Sequence, residues 1–216
     1  NAKKAVYETE YGLHIIPGSL LYKKVDALKL KEHLIPLKKY YDVILIDSSP
    51  SLNDEILATM MAADELFVIT TPDHVTLSTT LRAVRLAKER NTPINGLILN
   101  KVHNKDFELS LDEIEATSNC NVLAVLPYEI NMLEALSKNV PSTMYKQKSD
   151  ASIEFKQLAA ALLGEEYRDK RFKSRIKSLF GKTSKQHANR NMFKENLLKV
   201  KHNSIKDQFG FGIEMK

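Results

Sequence analysis

Four short stretches of this sequence carry the residues that could do chemistry. In "YYDVILIDSSPSL" (40–52) a run of β-forming apolar residues, Val43 to Ile46, stops at Asp47 and is followed by Ser48, Ser49 and Pro50. A strand that ends by presenting a carboxylate at its C-terminal tip is the arrangement a magnesium–nucleotide site uses, because Mg²⁺ keeps several waters and takes only one or two carboxylates beside phosphate oxygens. The bland alternative is an aspartate that terminates the strand by hydrogen-bonding its own turn. "VITTPD" (68–73), "LILNK" (97–101) and "VLPYE" (125–129) end in the same way, with polar residues after an apolar run. Asn100 has an amide that both donates and accepts, which suits the edge of a nucleobase. It could equally be a turn residue, and Pro127–Tyr128 could be a plain strand stop.

The elements that must position these residues follow from periodicity. "LHIIPG" (13–18), "DVILID" (42–47), "ELFVITTP" (65–72), "INGLILNK" (94–101) and "CNVLAVLP" (120–127) predict strands. Residues 26–39, 53–63, 76–90, 109–118, 130–138 and 150–163 predict helices between and after them. Strands apolar on both faces and separated by helices predict an α/β fold, a mostly parallel sheet covered on both sides. Ligands of such sheets bind beyond the C-terminal strand ends, where these polar residues fall.

The order of the motifs resembles the MinD/ParA family of P-loop ATPases with a deviant phosphate-loop motif, and within it the MinD branch. The resemblance covers roughly residues 5–164. It rests on "IDSSPSL", "VITTP", "LILNKV" and "VLPYEINMLEAL", with "AVYETEYGLHIIPGSL" ahead of them and "VPSTMYKQKSDASIEFKQLAAALLG" as the final loop and helix. It implies that Asp47 acts on nucleotide-bound Mg²⁺ through water, and that Pro50 and Ser51 begin the second switch region. It also implies that Asn100 recognises adenine and that Pro127 and Tyr128 lie beside the base. ATP and Mg²⁺ are the implied cofactors.

The phosphate-binding element of that family is not in this sequence. Such proteins open with a Gly-rich loop whose N–H groups and lysines cradle the phosphates. The seven glycines here form no such pattern. "FGKTS" (180–184) would need a second glycine where Ile176 stands, and it follows a basic segment, not a strand. The aspartate of the family's first switch is missing too. The chain opens on Asn1, and the expectation is a longer ATPase with at least one further βα unit upstream, these 216 residues alone being inactive in ATP hydrolysis.

Charge is distributed unevenly. Residues 1–164 carry 18 Lys+Arg against 21 Asp+Glu, while residues 165–216 carry 14 against 6. The pattern changes near Gly164, so the domains read as 1–164, a basic segment 165–182 and a tail 183–216 of no assigned role. In "RFKSRIKSLFGK" (171–182), Phe172, Ile176, Leu179 and Phe180 share one helical face, and Arg171, Lys173, Arg175 and Lys177 flank it. That is the composition of a helix lying in an anionic membrane interface. It also resembles the membrane-targeting segment of the MinD branch, which implies an ATP-dependent homodimer whose paired helices bind the bilayer and are released on hydrolysis, with a partner protein activating it. The alternative is the same helix docked on the body.

No run approaches the ~18 apolar residues of a membrane span, and the first residues do not resemble a signal peptide. The expected location is therefore cytoplasmic, peripheral on the inner face of the membrane. A DNA-partitioning ATPase using the basic tail is the alternative, weakened by the acidic body and the apolar stripe in the tail. A non-catalytic scaffold is a third reading. A cluster-carrying relative is disfavoured by the single cysteine, Cys120, which excludes an internal disulfide framework as well.

Overall fold

A computed structural model describes residues 5–18, 29–48, 54–92, 94–169, 171 and 184–209. They fall in two compact units. The first comprises Asn1–Leu66 with Arg85–Pro93, the second Phe67–Val84 with Ile94–Lys216.

In the first unit, β1 (Tyr7–Glu8) pairs antiparallel with β2 (His14–Ile15). The predicted strand at 13–18 thus contributes a two-residue hairpin arm and not a strand of the parallel sheet. A turn at Thr9–Gly12 allows this, closed by Thr9 N–H donating to the Leu13 carbonyl at 2.8 Å, with Gly12 at φ +75°. α1 (Leu30–Leu34) is short and passes into a 3₁₀ turn at Ile35–Leu37, since Pro36 has no N–H to continue an α-helix. Lys38 ties this turn to Asp64 at 2.8 Å, just beyond α2 (Asp54–Ala62). The predicted strand 42–47 carries no ladder. Its side chains still alternate, Val43 and Leu45 exposed and Ile44 and Ile46 half-buried, but a strand exists through its neighbours, and no described residue pairs with it.

The second unit contains the sheet. β3 (Leu66–Thr70), β4 (Ile94–Val102) and β5 (Val122–Pro127) lie in the order β3-β4-β5, with β4 and β5 parallel. α3 (His74–Glu89), α4 (Leu111–Ser118), α5 (Ile130–Ser137) and α7 (Asp150–Leu163) follow the predicted spans closely, and a short α6 (Ser142–Tyr145) lies between the last two where no helix was predicted. Alternate residues of β4 enter opposite layers. Leu97 and Leu99 pack with Leu77 of α3 and Ile114 of α4, while Ile98 packs with Leu158 of α7. Burial on both faces is what makes these strands continuous apolar runs.

Two irregularities shape the β4–β5 pair. The register steps from Leu97↔Val122 to Ile98↔Ala124, so β5 carries one extra residue, Leu123. Gly96 on β4 leaves room for it: a Cβ there would lie 2.5 Å from Leu123 Cγ. Further on, Leu99↔Val125 is followed by Val102↔Pro127, which puts the extra residue on β4, at Asn100–Lys101.

The tail, left without a role by its sequence, forms α8 (Lys185–Phe209), which packs on β5 and α7. Phe193 meets Phe67 of β3 edge-on at 5.9 Å and joins the layer of Ile98, Leu126 and Leu158. Among the described residues, no helix is long and apolar enough to cross a membrane.

Candidate functional site

The ends of β3, β4 and β5 bring together three of the four polar strand-end stretches. After β3, Asp73 caps α3: one carboxylate oxygen accepts from Thr76 N–H at 2.8 Å and the other from the Thr71 hydroxyl. These bonds, the Thr71 hydroxyl first, hold the carboxyl below its usual range. At the end of β4, Asn100 is half-buried and its Oδ1 accepts from Lys101 N–H at 2.9 Å. Lys101 sits at φ +56°, a left-handed conformation that turns the strand at its extra residue. Bulges at strand ends commonly re-aim a side chain toward a site in this way.

Pro127 ends β5 opposite Val102, and Tyr128 N–H donates to the Val102 carbonyl at 2.9 Å. That bond clips the two strand ends together, so Asn100, Pro127 and Tyr128 share one corner. His103 completes it. Its ring stacks on Tyr128 with centroids 4.8 Å apart and planes at 23°. Sequence reasoning passed over His103; its position two residues beyond "LNK" was the available signal. The loop behind it is held by Glu108, which accepts from His103 N–H at 2.8 Å and Lys105 N–H at 3.2 Å. Partial burial pushes the Glu108 carboxyl up, but these N–H bonds outweigh it and keep it low.

Glu129 follows. Its Oε1 accepts from Ala151 N–H at 3.0 Å, in the first turn of α7, while Oε2 is buried with no hydrogen-bond partner among the described residues. α7 starts there because Ser149 caps it, accepting from Ser152 N–H at 3.2 Å.

Asp47 belongs to the first unit, exposed at the end of the unpaired 42–48 stretch. Pro50 and Ser51 lie outside the described residues, as do Phe172, Lys173, Arg175, Ile176, Lys177, Leu179 and Phe180. Arg171 is described, and it faces the body. It donates to both Asp169 oxygens at 2.8–3.0 Å, to the Lys148 carbonyl at 3.2 Å and to Asp150. Asp169, and then Asp150, push its already high pKa upward.

A stacked aromatic pair can take a flat heteroaromatic ring on its face, and a carboxamide at the adjoining strand end offers both a donor and an acceptor for such a ring's edge. The corner therefore fits the base end of a nucleotide. Asp47, an exposed hard oxygen donor, fits a hydrated Mg²⁺. Among the described residues, no three His, Cys, Asp or Glu side chains are grouped as a metal cage would require.

Comparison with known proteins covers the same part of the chain. A family model described as ParA, NUBPL iron-transfer P-loop NTPase, matches residues 37–163. An uncharacterized ATP-binding protein of Methanocaldococcus jannaschii is 29% identical over 167 residues, which cover 76% of this chain and 64% of that protein. This chain thus spans less than two thirds of the length of that relative. The septum site-determining protein MinD of Bacillus subtilis is 25% identical over 183 residues, covering 78% of this chain and 68% of MinD. Among solved structures, the cell division ATPase MinD of Pyrococcus furiosus superposes with a TM-score of 0.68 at 27% identity, over 74% of this chain and 69% of its own. MinD of Pyrococcus horikoshii, solved with Mg-ADP, gives 0.69 at 26% identity, over 75% and 68%.

Proposed function

Because the chain belongs to the MinD/ParA family of P-loop NTPases, we propose that it is part of an ATPase that binds Mg²⁺-ATP and uses the nucleotide cycle to move on and off a membrane surface, regulating the division site or another spatial process. The observation that carries the nucleotide reading is the corner at the ends of β4 and β5, where the Tyr128 N–H bond to the Val102 carbonyl joins Pro127 and Tyr128 to the strand end bearing Asn100.

In this reading Asn100 holds the adenine edge through its amide, and Pro127 and Tyr128 bound the base. Asp47 orders the water shell of the metal, and Pro50 and Ser51 act as the switch that follows it. Magnesium, when bound, supplies charge neutralisation at the phosphate oxygens. The protein works as an ATP-dependent homodimer, cytoplasmic and peripheral on the inner membrane face, with a partner protein stimulating turnover. Phe172, Ile176, Leu179 and Phe180 enter the bilayer, and Lys173, Arg175 and Lys177 meet anionic headgroups. A single short helix binds weakly, and pairing two in a dimer raises the affinity by effective concentration, by ~10²-fold.

The test is nucleotide affinity of the native full-length protein carrying Asn100→Ala. Loss of a base-reading hydrogen bond costs about 1–3 kcal/mol, so the dissociation constant for ADP should rise on the order of 5- to 150-fold. An unchanged constant removes Asn100 from the site. On liposomes, Phe180→Asp should release the protein from anionic vesicles, and retained binding removes the basic segment as anchor.

A further inference from the structure

His103 stands between two residues with left-handed backbones, Lys101 and Asn104, each at φ +56°. Residues other than glycine rarely take that conformation, asparagine more readily than lysine, and such strain gathers at ligand sites. Here the strained turn is pinned from several sides. His103 N–H and Lys105 N–H donate to the two carboxylate oxygens of Glu108, whose own N–H donates to the Lys105 carbonyl at 3.0 Å. Leu109 N–H donates to the Pro72 carbonyl at 2.9 Å, which ties the far end of the loop to the chain just beyond β3. The His103 imidazole is therefore presented from a fixed backbone.

Tyr128 is pinned as firmly. Its N–H is held by the Val102 carbonyl at 2.9 Å, and the side chain of the next residue, Glu129, accepts from Ala151 N–H at 3.0 Å. These backbone bonds leave the phenol ring free to turn among the staggered positions of its side chain. The His103 ring restricts that freedom by stacking on one face, with centroids 4.8 Å apart and planes at 23°. Tyr128 is still 46% exposed, so surface remains for a ligand. A ring ordered before binding lowers the entropy lost on binding. An aromatic stack of this kind is worth about 2- to 12-fold in an equilibrium constant.

We propose that His103 is a positioning residue for the base of a bound purine nucleotide: it stacks on one face of Tyr128 and so holds that ring as a platform for the base on its other face. This role rests on the nucleotide reading of the corner and narrows it to ligands that carry an aromatic base. A purine, with two fused rings, overlaps a phenol ring more fully than a pyrimidine does. A phosphate chain without a base gains nothing from the platform. His103 acts through Tyr128, so its effect vanishes when the Tyr128 ring is absent.

The test uses the native full-length protein with Mg²⁺, as wild type, His103→Ala, His103→Phe, Tyr128→Ala and the double variant His103→Ala/Tyr128→Ala. ADP, CDP and inorganic pyrophosphate are titrated by calorimetry. His103→Ala should weaken ADP by about 2- to 12-fold and CDP by less, and leave pyrophosphate unchanged. His103→Phe keeps a flat ring and should bind ADP as wild type does. In the Tyr128→Ala background, His103→Ala should have no further effect. The proposal is overturned by unchanged ADP affinity in His103→Ala, by an equal loss for CDP or pyrophosphate, by failure of His103→Phe to retain binding, or by additive losses in the double variant. Asn100→Ala, measured alongside, separates the two readings. If it weakens ADP while His103→Ala does not, only the platform falls; if neither weakens ADP, the base corner falls with it.

Discussion

Gly96→Ala tests the packing of the β4–β5 pair with a single methyl group. An ideal Cβ at Gly96 lies 2.5 Å from Leu123 Cγ, 2.6 Å from Leu123 Cδ1 and 3.0 Å from the Asn121 carbonyl oxygen. Carbon atoms in favourable contact stand roughly 3.5–4.0 Å apart, so the overlap with Leu123 is on the order of 1 Å. Leu123 is 1% exposed, and its Cγ is the branch point of the side chain, not its free end. The Asn121 oxygen is held by Leu97 N–H at 2.8 Å. Relief therefore needs a new Leu123 rotamer in a filled layer or a wider strand spacing. Overpacking of this kind costs about 1–3 kcal/mol, and replacing a strand glycine returns about 0.4–1 kcal/mol of chain entropy. The net expectation is about 1–2 kcal/mol, which lowers the urea midpoint by roughly 0.5–1 M at a typical slope. The chain has no tryptophan, so the transition is followed by far-ultraviolet circular dichroism. Leu123→Ala removes the colliding atoms, and the double variant should cost at least ~1 kcal/mol less than the sum of the singles. An unchanged midpoint for Gly96→Ala, or strict additivity with Leu123→Ala, refutes the bulge-and-glycine account.

Two further outcomes follow from the helix starts. Ser110 and Glu113 form a reciprocal capping box at α4, Ser110 N–H donating to Glu113 at 2.8 Å and Glu113 N–H to Ser110 Oγ at 3.3 Å; Ser110→Ala should cost ~1 kcal/mol in the same urea assay. The Asp73 carboxyl lies below its ordinary value of 3.8, so its contribution is fully present above that pH and is lost as pH falls through the lower native value. Urea midpoints of wild type and Asp73→Asn should therefore converge between about pH 5 and about pH 2, and a constant gap across that range removes Asp73 as a charge-dependent cap.

The parts of the fold legible in the sequence are those whose signal is local. The helices at 76–90, 109–118, 130–138 and 150–163 could be read because each has an apolar stripe, and two of them begin at a serine cap. β4 and β5 could be read because burial on both faces writes them as apolar runs, and β3 because it is apolar as far as Thr70 even though Ile69 is exposed. The stretch 42–47 has the same composition and carries no ladder, since pairing depends on a neighbour that composition does not encode. Asn100, Pro127 and Tyr128 were singled out through motif order, and His103 was not, because its place at the corner arises from a stacking contact across two strand ends. α8 was missed for a related reason. Its docking rests on Asn189 and Arg190, polar residues that look like solvent-facing positions until the edge of β5 is placed against them.

The hydrogen bonds of Asn189 and Arg190 to Glu115, Glu154 and the Val122 and Leu123 carbonyls of β5 also set an order of events during synthesis. Val122, Glu115 and Glu154 leave the ribosome before Asn189 and Arg190 exist, and α8 ends 82 residues after Pro127. At typical elongation rates of about 5–20 residues per second, the Val122 and Leu123 carbonyls lack their α8 donors on the nascent chain for roughly 4–16 s. Through that interval neighbouring chains on one polysome carry the same two unmet carbonyls. A chaperone that holds this strand until α8 arrives would act on the step where misassembly is most favoured, and a stop codon ahead of residue 185 would make that passing exposure permanent.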